Sequence, residues 1–195
     1  MMPFDFSRAM GELMADVATV LDELRHVDVS RIAVGFSQAR HGGLHGTFAT
    51  THALRFGKGA LETTLEGRTY AFPRVIIGGV EALYAIIFRL PRFLNLPLDE
   101  KMATVVHEMY HISPAFDGTL RRFEGGKPYH TGSRRRYHAA MGQLARSYQA
   151  ATRRPELHAF LRQDFSELSA AHGGIVGLRL RRLGARRVGK GIRDA

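Results

Sequence analysis

"LPLDEKMATVVHEMYHI", residues 96–112, is the stretch on which both the fold and the chemistry of this chain turn. Met102, Val105, Val106 and Met109 recur three and four residues apart, which makes them the inner face of an amphipathic helix. Asp99 or a neighbour can cap its start, and Pro114 with "FDG" at 116–118 stops it. Positions four apart share a helix face, so His107 and His111 can both reach one zinc ion. Glu108 stands beside them, placed to take a proton from a water at the metal. Neutral imidazoles bind zinc without cancelling its Lewis acidity, and a carboxylate can carry the proton on to a leaving amine. Two histidines four apart can also be ordinary surface or core residues of a helix.

A catalytic zinc usually keeps three protein ligands and one open position. The chain has no cysteine, which excludes disulfides, thiolate ligands and a cysteine nucleophile, so the third ligand must be His, Asp or Glu. Three candidates follow the helix. Asp117 comes five intervening residues after His111, Glu124 sits in a Gly-rich loop, and His130 opens the next predicted helix, where a fixed backbone can aim it.

Upstream, Phe6 to Leu24 carries apolar residues at helical spacing on one face. "RIAVGFSQ" (31–38) reads as a strand, "ARHGGLHG" (39–46) as a hairpin turn, and "TFATTHALRF" (47–56) as the returning strand, with Phe48, Leu54 and Phe56 at period two. Residues 57–79 fit a long excursion or a further hairpin. "EALYAIIFRLPRF" (81–93) is the clearest strand, and Pro91 puts it at or near a sheet edge. Downstream, "TGSRRRYHAAMGQLARSYQAA" (131–151) predicts a helix capped by Ser133. "PELHAFLRQDFSELSAAHGG" (155–174) predicts one more, opened by Pro155 and closed by Gly173. The expected architecture is α+β: an N-terminal helix, a small, mostly antiparallel sheet, then the His107 helix and further helices. A single domain spans 1–172, followed by a basic extension at 173–195.

At 195 residues, 45% hydrophobic and 9% aromatic, the chain can build one real core. Acidic residues interrupt the apolar N-terminal stretch, so it does not read as a signal peptide. "VIIGGVEALYAIIF" (75–88) is too short to span a bilayer and contains Glu81. A cytoplasmic location without membrane association is the expectation. The net charge of +10 favours a polyanionic partner.

The stretch "HEMYHISPAFDGTLRRFEGGKPYHTGSRRRYHAAM" (107–141) resembles the active-site region of SprT-like zinc metallopeptidases and related bacterial and phage enzymes, which are gluzincin-like zincins. In that pattern an HExxH helix is followed, after a loop, by a third histidine opening another helix, usually as His-Gly. Here His130 is followed by Thr131. The resemblance implies zinc held by His107, His111 and His130, with Glu108 as general base. Asp117 ranks second as third ligand, at the spacing metzincins use, although Pro114 stands where those enzymes place a glycine. If His130 binds, Asp117 becomes a candidate partner orienting a histidine, or simply a turn residue. The resemblance also implies an extended peptide or protein substrate lying along the edge strand, within 82–90. The zinc ribbon often carried by SprT-like proteins needs cysteines, which this chain lacks.

Tyr110, Tyr129 and Tyr137 flank the proposed site as packing residues or as stabilisers of an oxyanion, with Tyr137 preferred for that catalytic role. His138 faces elsewhere on its helix, and His41, His45 and His52 read as structural or solvated. Arg134, Arg135 and Arg136 form one basic cluster. Arg179, Arg181, Arg182, Arg186, Arg187, Lys190 and Arg193 form another, which can bind phosphates or remain a solvated tail. Leu178, Leu180 and Leu183 are interleaved, so "IVGLRLRR" can be a strand packing one face. The leading functional expectation is a zinc metallopeptidase. The alternative is a nucleic-acid-associated binding protein with a structural or vestigial metal.

Overall fold

Asp5, at the end of β1 (Phe4–Asp5), accepts a hydrogen bond from the Arg8 amide (3.0 Å) and so caps α1 (Phe6–Val20). Phe6, Met10, Leu13, Met14 and Val17 of α1 are fully buried, as their spacing predicts. The computed structural model describes residues 2–39, 46–123 and 134–188, with side chains from 137 onward in the last stretch.

The central sheet contains β2 (Ile32–Gln38), β3 (Ala49–Ala53) and β8 (Tyr84–Leu90), in the order β2-β8-β3. The long strand is therefore in the middle, which corrects the edge placement that Pro91 suggested. The last paired residue is Leu90, so the proline follows the ladder and removes none of its bonds. β8 is apolar almost without alternation because both its faces are covered. Tyr84, Ile86, Phe88 and Leu90 face the helices, while Ala85 and Ile87 join a second cluster with Ala33, Leu54, Ala82 and Leu183. β2 runs parallel to β8 and β3 antiparallel. The expected hairpin between residues 31–38 and 47–56 does not form, because β8 lies between the two strands. The longest ladder is thus parallel and the sheet mixed, although the α+β class holds.

Residues 57–79 resolve into two short hairpins. β4 (Glu62–Leu65) pairs with β5 (Arg68–Ala71), and β6 (Ile76–Ile77) with β7 (Val80–Glu81). Their two-residue turns, Glu66-Gly67 and Gly78-Gly79, have positive φ at both positions, the twist that tight hairpins favour. Glu81 is gripped by two arginines. Arg74 Nε and Nη2 reach its two oxygens at 2.9 and 3.0 Å, and Arg55 Nη2 reaches Oε1 at 2.7 Å. Hydrogen bonding from Arg74, helped by the Arg55 charge and opposed by desolvation, pulls its carboxyl down to about 2. A lowered pKa contributes stability that is present above the unfolded value near 4.5 and is lost as pH falls through about 2. Acid titration of Tm over that window should show a loss that Glu81→Gln flattens; equal curves for the two proteins would contradict it.

α2 (Leu98–Tyr110) buries Met102, Val105, Val106 and Met109 against the sheet. Its N-cap is Pro97, with no side-chain cap. Asp99 lies in the first turn instead, where its charge suits the helix dipole. The helix stops at Tyr110, before Pro114. α3 (Arg134–Ala151) packs on α2 through Met141, Ala145 and Tyr148, and Asp16 of α1 accepts from Tyr148 (2.9 Å) and Thr152 (2.7 Å).

The single helix expected over 155–174 is broken. A 3₁₀ segment, Pro155–Arg162, gives way to α4 (Phe165–His172). Asp164 and Glu167 form a reciprocal capping box that restarts the chain, and Gly173 closes α4 at φ 67°. Lys101, only 2% exposed, donates from Nζ to the carbonyls of Leu161 and Gln163, both at 2.8 Å. Lys101→Met strands both carbonyls, and about 1–3 kcal/mol of lost stability is expected. Urea unfolding measures this directly; an unchanged midpoint would contradict it.

β9 (Ile175–Val176) pairs parallel to β1, and β10 (Arg186–Arg187) pairs antiparallel to β5. Up to Val188, the stretch read as an extension lies against the body.

Candidate metal centre

His107 occupies the last turn of α2. His111 is its C-cap, with φ −68° and ψ −17°, so the helical path carries both rings to one side. Their Nε2 atoms stand 2.9 Å apart. Two imidazoles bound tetrahedrally at zinc distances would hold these atoms about 3.3 Å apart, so a few tenths of an ångström convert the pair into a metal bite. Donors of the right kind converge here, and the pair fits zinc chemistry.

The loop after the helix fixes His111 from behind. The Arg121 amide donates to the His111 carbonyl (2.7 Å), and Arg121 Nε donates to the Tyr110 carbonyl (2.7 Å). These bonds occupy carbonyls that the helix end leaves open. The Arg121 guanidinium also covers the Tyr110 ring at 4.1 Å. Tyr84 on β8 holds the same loop, donating to the Thr119 carbonyl and accepting from the Gly118 amide, both at 2.9 Å. Gly118 has φ +84°, and a Cβ there would stand 2.4 Å from Arg55 Cγ, so glycine is required.

Glu108 is 7% exposed and turns toward β3. Thr51 pairs with Ile86, on the helix side of the sheet, and its Oγ1 lies 2.7 Å from Glu108 Oε2 and 2.8 Å from the Glu108 carbonyl. The hydroxyl has one proton. When Glu108 is protonated it can donate to Thr51 while Thr51 donates to the carbonyl; when ionised, it competes for that proton. Burial pushes the carboxyl up to about 7, against the lowering effect of the Thr51 bonds.

A cavity of about 630 Å³ opens beside these groups, between α2, α3 and the start of β3. Thr47, Phe48 and Ala49 form one wall, and His107, Glu108 and His138 lie across from it. His138 was expected to face elsewhere, but it shares this wall, with its ring 5.9 Å from that of His107. One residue past Tyr137, it is carried round α3 to the cavity side, a choice made by the docking of α3 on α2. Tyr137 stands edge-on to His107, with ring centroids 5.1 Å apart, in a cluster with Tyr110 and Phe123. Burial raises its hydroxyl above the ordinary tyrosine value.

Asp117 does not join the histidines. Its Oδ1 accepts from the amide (3.1 Å) and the hydroxyl (2.7 Å) of Thr119, which is the turn role, and it lines a separate depression with Arg55 and Lys58. Burial acts to raise its carboxyl, but the Thr119 bonds hold it below the ordinary aspartate value. His52 pairs with Ala85 and so points to the far side of the sheet. His130, Glu124, Tyr129, His41 and His45 lie outside the described residues, as do the side chains of Arg134, Arg135 and Arg136. Among the described residues no three His, Asp or Glu side chains gather to hold an ion. Thr51 and Arg121 were not singled out from sequence: one is an ordinary strand residue and the other part of an unpatterned loop.

The fold and site together define an α+β chain whose central helix ends in two converging imidazoles and a buried carboxylate. No family model, curated protein or solved structure matches it. No helix among the described residues is long and apolar enough to cross a membrane.

Proposed function

We propose that this chain is a zinc-dependent metallopeptidase of zincin-like architecture, with His107, His111 and His130 as metal ligands. The observation that carries the reading is the convergence of the two Nε2 atoms at 2.9 Å beside a buried glutamate, at the mouth of a cavity bounded by a sheet edge. A zinc ion held there supplies Lewis-acid activation of a water and a peptide carbonyl. Glu108 accepts the proton from the attacking water and delivers it to the departing nitrogen. Thr51 keeps that carboxylate aimed. Tyr137, packed on His107, is the residue we assign to oxyanion stabilisation.

The substrate strand shifts with the corrected sheet order. β8 is paired on both sides, so residues 82–90 offer no free edge. β3 is the edge strand on this side and leads directly from the cavity wall, so an extended peptide would add to β3. The test is metal content and cleavage of an unfolded protein substrate by zinc-loaded enzyme. One zinc per chain is expected, lost in His107→Ala and His111→Ala together with cleavage. A wild-type protein that takes up no zinc, or alanine variants that still cleave, would defeat the proposal.

A further inference from the structure

The segment from Leu178 to Val188 crosses the face of the central sheet that is turned away from α2. Leu183 is buried there with Ala33, Leu54, Ala85 and Ile87, and Leu178 and Leu180 pack against the same cluster. The main chain is pinned as well. The Leu178 carbonyl accepts from the Phe36 amide (3.0 Å), and the Leu178 amide donates to Ser7 Oγ (2.8 Å). Gly35 permits the approach, since a Cβ there would stand 2.6 Å from the Leu178 oxygen.

With the leucines turned inward, Arg179, Arg181, Arg182, Arg186 and Arg187 are all exposed. No acidic residue occurs from 173 to 188. None of the five arginines enters a salt bridge among the described residues. Arg182 adopts φ +60°, a conformation glycine would take at less cost. Arg179 stands over the Phe36 ring at 5.3 Å and Arg186 Nη2 donates to the Arg182 carbonyl (3.5 Å), but neither contact supplies a negative charge. Clustered like charges oppose compaction unless an anion covers them. The β10-β5-β4 sheet extends the surface. Arg187 pairs with Tyr70, and Arg68 lies two positions along on the same face; Arg186 and Glu62, both in the row of Ala71, are on the other.

We propose that this face binds single-stranded nucleic acid. Arg68, Arg179, Arg181, Arg182 and Arg187 meet successive phosphates, and Tyr70, flanked by Arg68 and Arg187, offers a ring on which a base stacks. Arginine suits phosphate through its planar fork of donors, and the aromatic ring favours a strand with unpaired bases over a lipid surface. The face lies behind the sheet from His107 and Glu108, so binding does not depend on the metal site or on the peptidase reading.

Fluorescence anisotropy with a labelled 20-nucleotide single-stranded DNA tests the idea on the full chain. A plot of log affinity against log salt should have a slope near −3.5, at about 0.7 per phosphate contacted. Replacing Arg181, Arg182 and Arg187 by Gln should flatten that slope to about −1.4 and weaken low-salt binding at least 100-fold. Tyr70→Ala should weaken binding about tenfold while leaving the slope unchanged. Arg182→Gly alone should reduce the slope by about 0.7 without lowering Tm, which guards against misfolding of the multiple variant. A chelator should change none of this. Absent binding at 50 mM salt, an unaltered slope in the triple variant, or phosphatidylserine vesicles competing better than the oligonucleotide would each overturn the proposal. Tyr70→Ala binding as tightly as wild type would do the same.

Discussion

Glu108→Gln is expected to lower kcat/KM for peptide cleavage by about 10³-fold while zinc content and Tm stay close to wild type. Glutamine keeps the shape of the side chain and can accept from the Thr51 hydroxyl, so neither the packing of α2 nor the contact to β3 should be lost. It cannot take a proton from water at any working pH. Glutamine also avoids burying an ionised carboxylate, so stability should hold or rise slightly. Single-turnover cleavage by the zinc-loaded variant is the direct measurement. Cleavage within tenfold of wild type would show that Glu108 is not the base. Thr51→Val adds a control on positioning: it should lower kcat more than it raises KM, and Thr51→Ser should recover most of the loss.

Phe6→Ala is expected to be the most destabilising single change, at about 3–5 kcal/mol. The ring is fully buried where α1 meets the sheet, and it stands edge-on to Phe36, Phe88, Phe93 and Phe160 with centroids 5.6–6.3 Å apart. Those four rings come from β2, β8, the turn after β8 and the 3₁₀ segment, so a cavity there loosens several elements at once. Aromatic edge contacts add to the lost transfer energy. Guanidinium unfolding monitored by far-UV circular dichroism would give the size, and a loss below 1 kcal/mol would mean that the surroundings collapse to fill the gap.

The elements themselves were largely legible from local spacing. Phe6, Met10, Leu13, Met14 and Val17 announced α1, and Met102, Val105, Val106 and Met109 announced α2, because a helix folds its own neighbours onto one side. The same rule placed His107 and His111 together before any tertiary contact was known. The restart at Asp164 was also written locally, as a capping box in "DFSE", but the surrounding apolar residues masked it. By contrast, no local pattern could say that β8 lies between β2 and β3. Strand order is set by which faces can be buried, and β8 needs cover on both. Its nearly unbroken apolar run was the available signal; Pro91 pointed the other way only because its position beyond the last ladder bond was not known.

The sequence alone determined the helix that carries two imidazoles and a carboxylate on one turn, since 3.6 residues per turn decides that geometry without help. The tertiary structure decided everything that reaches the site from elsewhere. Thr51 arrives from a strand 57 residues away, Arg121 from a loop folded back by Tyr84, and His138 from a helix docked on α2. It also turned the arginines of the last segment outward, by burying the leucines between them. Contacts of that kind depend on how faces pack across long chain separations, and no spacing within a single element encodes them.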